Sequence, residues 1–317
     1  MEKSNQEINI VGAAIEDKYI SVGILDFKTR RVAENTLRRK RVNPAGSASE
    51  IFKVWTDCFK EVIALRTTDN IRIGLGIPNL IDYESGVYLD DDPKRYGSLN
   101  KHNLKTILGE QLGLDPGCIR IQNVDASFFQ GEVFAGAVNR YQKSFGITLG
   151  VGLGTARYQN GIVEDANLWK SPFKDATAEE YLSVKWLLTR FYKLSGIEVA
   201  DLIEMKSYSS DSAVGQVFAE FGANLGEFIT KIIETEKPDA ICIGGQMESS
   251  NRFFFDIATK YVQSKGHKTP IIKAVLGEKA YVIGTASSWS TETLHSCLLY
   301  TSPSPRDVEE SRMPSSA

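Results

Sequence analysis

The sequence predicts an α/β protein of two domains or one large bilobal unit, and three observations carry that prediction. Short apolar runs of strand character alternate with segments of helical period along most of the chain. The 317 residues are enough for two ordinary domains or for one large bilobal unit. With 42% apolar residues, either arrangement can fill a core.

Taken in order, 8–14 and 20–26 read as strands, joined by a turn at Glu16-Asp17-Lys18. A third, polar-edged strand is expected over 31–42, and Pro44 and Gly46 then break the chain. Ser47 and Glu50 form a capping box ahead of a helix that places Ile51, Trp55, Cys58 and Val62 at helical spacing. Segment 71–77 is a buried strand ended by Pro78, 82–101 a polar loop turning at Gly86, and 103–112 a short helix. Then comes the central stretch. Asn123 and Asp125 stand at a strand-to-helix turn, and the helix after it carries Phe129, Val133 and Ala137 on one face. A strand at 146–149 runs into Gly150-Val151-Gly152-Leu153-Gly154-Thr155. Segment 164–177 is irregular and mixes Asp165, Asn167, Trp169 and Phe173. Strong helices are expected over 178–194 and 212–234. A strand over 240–243 ends in Gly244-Gly245, a short strand follows at 271–273, and a helix begins at 280.

The segment from Cys297 to Asp307 differs in kind, because it back-translates into a widely used transposon-type sequencing adapter. It is expected to be non-native and unpacked, with the natural C-terminus missing. The expected division is therefore a first lobe at 1–120, a second at 121–296, and a tail at 297–317.

The central stretch carries the chemistry. Alternating glycines let backbone N–H groups turn toward an anion with no Cβ in the way. An acidic turn and such a loop, joined by one helix, suggest a base for a hydroxyl and a cradle for phosphates. The same residues would equally serve a buried hairpin that bends at glycine, with Asp125 as a helix cap. Gly244-Gly245 could admit a nucleotide base or phosphate, or simply allow packing. The aromatics of 164–177 could stack on a sugar or plug a cleft.

Charge narrows the classes. The 37 Lys+Arg are balanced by 40 Asp+Glu, so no nucleic-acid surface is expected, and the run Arg38 to Arg41 reads as a solvated edge strand. Four scattered cysteines and three histidines leave no cysteine-based zinc site and no histidine-rich metal centre. No signal peptide and no apolar run of membrane-span length is present, so a cytoplasmic location is expected.

Six segments then arrive in a telling order: LGIPNLIDYESG, NVDASFFQGEVFAGA, ITLGVGLGTA, AEEYLS, PDAICIGGQ and LGEKAYVIGTAS. Together, across residues 8 to about 289, they resemble the ROK family, the sugar kinases and repressors of the actin-like ATPase superfamily. The resemblance implies a two-lobed actin-like ATPase (ribonuclease H-like) fold with a central cleft. It implies transfer of the ATP γ-phosphate to a sugar hydroxyl, with Mg-ATP as cofactor and a small sugar as partner. Asp125 would be the base. Gly150, Gly152, Gly154 and Thr155 would hold phosphates, and Gly244, Gly245 and Gln246 the adenosine. Asn123 and Glu179 match sugar-contact positions. No metal-ligating residue is assigned, and the zinc-binding cluster of many members is absent, so no structural zinc is expected. No helix-turn-helix precedes the first strand, so the chain does not resemble the family's repressors, and a homodimer is left open.

The departures set a second expectation. Kinases of the family open with glycine-isoleucine-aspartate-x-glycine-glycine-threonine/serine, where this chain has Gly12-Ala13-Ala14-Ile15-Glu16-Asp17-Lys18. The acidic residue that helps hold magnesium becomes Ala14, and two phosphate-loop glycines become Glu16 and Asp17, which would repel phosphate. Val151 replaces a loop threonine. Counted back from Glu132 without a gap, the family's base falls on Val124, with Asp125 about a hundred degrees away around the helix. The expectation is a sugar-binding ROK-like protein with phosphotransfer weakened or lost. The alternative is a working hexose kinase that uses Asp125.

Overall fold

The computed structural model describes residues 8–16, 18–78, 81–208 and 212–290. Asp17 and the adapter-like segment at 297–307 lie outside the described residues. Two sheets organise the chain. The first contains β1 (Asn9–Glu16), β2 (Tyr19–Asp26), β3 (Arg31–Val32), β4 (Arg38–Arg41), β5 (Ile71–Ile77) and β8 (Ile119–Asn123), in the order β3-β2-β1-β5-β8 with β4 also on β2. Its first hairpin is antiparallel, and β5 and β8 then add in parallel. Parallel addition needs crossovers, and they are supplied by α1 (Ala48–Ile63) and by a segment holding the small hairpin β6 (Ile81–Asp82) and β7 (Val87–Tyr88) and then α2 (Leu104–Leu112). The Ser47–Glu50 capping box starts α1, whose Ile51, Trp55, Cys58 and Val62 are all buried. The strand expected over 31–42 is two short pieces, β3 and β4, because residues 33–37 leave the sheet in a turn held by the Thr36 hydroxyl.

From β8 the chain passes directly into α3 (Val124–Phe134) and then into the second sheet. That sheet comprises β9 (Lys143–Leu149), β10 (Leu153–Gln159), β11 (Ile162–Asp165), β14 (Ala240–Gly244) and β15 (Ile271–Lys273), in the order β11-β10-β9-β14-β15. A hairpin, β12 (Pro172–Phe173) with β13 (Ala176–Thr177), precedes α4 (Ala178–Tyr181), α5 (Val184–Ser195), α6 (Leu202–Ser207), α7 (Ser212–Glu236) and α8 (Asn251–Ser264). The single helix expected over 178–194 is α4 and α5, broken where Ser183 takes extended backbone angles and caps α5 through Trp186 N. The stripe Val214, Val217, Phe221, Leu225, Phe228 and Ile232 of α7 is buried as its spacing predicts.

The closing helix, α9 (Lys279–Ser287), leaves the second sheet and lies on the first, packing against β1, β5 and α3. Glycines make the seat. A Cβ at Gly12 would stand 2.0 Å from Val282 O, and one at Gly74 2.0 Å from Thr285 O, so helix and sheet meet at backbone distance. Beyond α9, Trp289 donates its indole N–H to Ile73 O at 3.0 Å, under the Arg120 guanidinium. The C-terminal end of the fold thus closes onto the first sheet, although it follows the second in sequence. Among the described residues, no helix is long and apolar enough to cross a membrane.

Candidate functional site

The site is built outward from the start of α3. Asn123 ends β8 and caps the helix, its Oδ1 accepting from Asp125 N at 2.8 Å and Ala126 N at 3.0 Å. That cap fixes the direction of the first turn. Val124 turns into the core beside Ala14 and Phe128 and is 8% exposed. Asp125 turns toward the β9–β10 hairpin, where its Oδ1 accepts from the Thr148 hydroxyl at 2.6 Å. Gly154 lies against it so closely that a Cβ there would stand 2.2 Å from the Asp125 Cγ. The carboxylate beside the glycine loop is therefore Asp125. The ungapped count that set Val124 in that place is corrected by one residue of helix.

Two more carboxylates face Asp125. Asp165 ends β11, and its Oδ1 accepts from Asn167 N at 2.8 Å. Glu179 lies on α4, and its Oε2 accepts from Leu153 N at 3.0 Å. Each of the three acids anchors one oxygen on the protein and leaves the other without a hydrogen-bond partner among the described residues. Burial pushes the Asp125 carboxyl up to about 6, with Asp165 and Glu179 adding to the rise and the Thr148 bond and Arg95 opposing it. Burial also raises Asp165. From the first lobe, the Tyr83 hydroxyl lies beside the Asn123 side chain, close enough to feel both Asp125 and Asp165.

The residues expected on the nucleotide side divide in two. Gly150 faces the Gln246 side chain, Gly152 faces Glu179, and Gly245 takes a positive φ of 96° against the Leu149 backbone. These stand together at the ends of the adjacent strands β9 and β14. Gly244 and Thr155 are engaged by the protein itself. A Cβ at Gly244 would meet the Phe128 ring at 2.4 Å, and the buried Thr155 hydroxyl accepts from Leu168 N at 3.0 Å. Gly154 makes room for Asp125.

The described part of the first hairpin carries a small apolar residue and a buried acid. Ala14 is fully buried. Glu16 is 7% exposed, its Oε1 lacks a partner among the described residues, and burial drives its carboxyl up to about 7 against the pull of Arg39, with Glu278 adding to the rise. Arg39 itself is paired with Glu278 and lies over the Tyr19 ring at 4.3 Å. Among the described residues, no group of three His, Cys, Asp or Glu side chains could hold a metal ion.

Sequence reasoning placed Asn123, Asp125 and Glu179 in the group that the structure assembles. It did not single out Thr148 or Tyr83, and it met Asp165 only as part of an irregular loop. The usable signal for Asp165 was an acid closing a short strand after a glycine turn; for Tyr83 there was none, because its partner is 40 residues away in sequence.

Comparison with known proteins agrees with this fold. Residues 175–292 match the ROK family model. In three dimensions the chain is similar to a ROK hexokinase from Thermus thermophilus, at 16% identity and a TM-score of 0.73 over 90% of this chain and 99% of that one. It is similar to a ROK family glucokinase from Streptomyces griseus in complex with glucose and AMPPNP, at 17% identity and a TM-score of 0.70 over 88% and 98%. It is also similar to a ROK family transcriptional regulator, a homologue of the E. coli MLC protein, at 14% identity and a TM-score of 0.69 over 89% and 78%. No curated protein matches the chain in sequence. The ROK resemblance is borne out: the chain has the actin-like fold of the ROK sugar kinases, and residues 175–292 match the family model.

Proposed function

We propose that the chain binds a hexose-type sugar beside Asp125, and that Asp125 takes the proton of the hydroxyl lying nearest it. The supporting observation is the set of three acids that each hold one oxygen on the protein and keep the other free. A sugar presents several hydroxyl donors at fixed angles, and half-anchored carboxylates are rigid acceptors for them. Asn123 and Tyr83 add an amide and a phenol at the edge. With Oδ1 held by Thr148, Oδ2 is the atom left to accept the proton, and a carboxyl raised to about 6 is basic enough to do so near neutral pH.

Mg-ATP, when bound, would supply the phosphoryl group, and Gly150, Gly152, Gly245 and Gln246 would face it. The first hairpin does not fit it. A buried carboxyl at Glu16 and the methyl of Ala14 occupy what should be an anion-friendly turn and a magnesium-side acid. The reading is therefore a ROK sugar-kinase-like protein whose sugar side is intact and whose phosphotransfer is weakened. The position of Asp125 also favours a second reading, a working hexose kinase.

Calorimetric titration of the full chain with hexoses, with and without Mg-ATP, tests both. Sugar binding without nucleotide is expected, weakened about tenfold or more in Asp165→Asn and Glu179→Gln. Absence of hexose binding in the unaltered chain overturns the proposal. Rapid ATP-dependent phosphorylation that disappears in Asp125→Asn selects the second reading.

A further inference from the structure

A cavity of about 500 Å3 opens between α5, α7 and the β12–β13 turn. It is separate from the Asp125 group. Glu179 and Tyr181 lie two residues apart on α4, about 200° around its axis, so that Glu179 meets the glycine loop while Tyr181 lines the cavity. Its size is in the range that holds small molecules.

The walls are of two kinds. One is aromatic: the Tyr181 and Trp186 rings lie 6.4 Å apart, tilted by 37°, with Trp186 backed by Phe221. The other is rich in donors without partners. Asn224 is 5% exposed, and its Oδ1 accepts from Lys174 while its amide N–H2 donates to nothing among the described residues. Arg190 binds Glu220 through Nε and one Nη at 2.6 and 2.8 Å, leaving the second Nη unbonded among the described residues. Among the described residues, Lys193 pairs with no acid and the Trp186 indole N–H finds no acceptor. The acceptors are mostly engaged, since both Glu220 oxygens are taken by Arg190 and Gln216.

A surface with surplus donors, net positive charge and a flat ring wall suits an acceptor-rich anion with one apolar face. We propose that this cavity is a second ligand site, for a phosphorylated monosaccharide. The ring would lie on Tyr181 and Trp186, and the phosphate would be met by Lys193 and the unbonded Nη of Arg190. The choice of a sugar rests on the proposed function; the choice of an anion rests on the cavity alone.

Titration of the full chain with glucose 6-phosphate, glucose, AMP and inorganic phosphate, followed by calorimetry and tryptophan fluorescence, tests this. Glucose 6-phosphate is expected to bind and to change Trp186 emission. Lys193→Glu, on an exposed helix face, should weaken it by at least about tenfold, and Thr189→Tyr, which fills the mouth, should abolish it. Both variants should leave hexose binding at the cleft unchanged, whereas Glu179→Gln should do the reverse. Sugar-phosphate binding that persists in chains failing to bind free hexose would sink the cleft reading and leave this one standing. The inference is overturned by an absence of glucose 6-phosphate binding, by binding indifferent to Lys193→Glu, or by AMP or phosphate alone binding as tightly.

Discussion

A carboxyl held away from water is a pH-dependent load on the fold, and Glu16 is the clearest case. Its folded-state value is about 7 against an ordinary 4.5, so the folded chain favours the protonated form. Below the ordinary value both states are protonated and nothing is lost. As pH rises toward 7 the folded state must either keep a proton or bury a charge, and the penalty grows to roughly 3 kcal/mol at most. Glu16→Gln removes it. Thermal melts should show the variant more stable than the unaltered chain at about pH 8 and equal to it near pH 4; equal stability at both would mean that Glu16 is solvated. Asp125 follows the same sign for folding but the opposite one for function. Its charge must be present to accept a proton, so turnover or hexose affinity should rise through about pH 6 and level off above it. A profile flat from pH 5 to 8 would remove Asp125 from the chemistry.

At the scale of elements, the joint between α3 and α9 holds the site in place, and one side chain organises it. Glu132 is fully buried near the end of α3. Its Oε1 accepts from Val275 N and Leu276 N at 3.0 and 2.8 Å, and its Oε2 from Ala137 N at 2.7 Å. One carboxylate thus ties the exit of α3 to the loop that delivers α9. Glu132→Gln puts an amide donor against at least one of those N–H groups, and chemical denaturation should show a loss of about 1–3 kcal/mol; a change under about 0.5 kcal/mol would mean that the loop finds other partners. Such joints decide what a sequence can reveal. The strands and long helices were legible because burial on a sheet or a helix face repeats with a fixed period. The break between α4 and α5 was not, because Ser183 interrupts the backbone while Ala178, Leu182 and Trp186 keep an apolar residue at every fourth position. The count set Val124 beside the glycine loop because a count along a helix has no marker for a one-residue difference, whereas the cap at Asn123 turns Asp125 there. Asp165 and Tyr83 reach the site from loops, where no local pattern records a distant partner.

For the molecule as a whole, the site is shared between lobes. Tyr83, in the turn between β6 and β7 of the first lobe, lies beside Asn123, and Arg95 acts on Asp125 across the gap, while Asp125, Asp165 and Glu179 belong to the side of the second sheet. The α3–α9 joint passes between the two sheets, with Trp289 pinned to Ile73 and Arg120 at its far end. A sugar touching both sides shifts the lobes only as far as its affinity for the closed form exceeds that for the open one. The polar contacts from Tyr83 and Arg95 are the ones that can differ. Hydrogen exchange on the full chain with saturating hexose should therefore slow at two separated places, residues 81–96 and residues 148–155. Exchange within α3 and α9 should stay unchanged, because the joint is packed in either state. Tyr83→Phe, which keeps the ring and loses the hydroxyl, should weaken hexose binding and abolish the slowing at 81–96 while sparing that at 148–155. Protection confined to the second lobe in the unaltered chain would mean that the first lobe takes no part in holding the sugar.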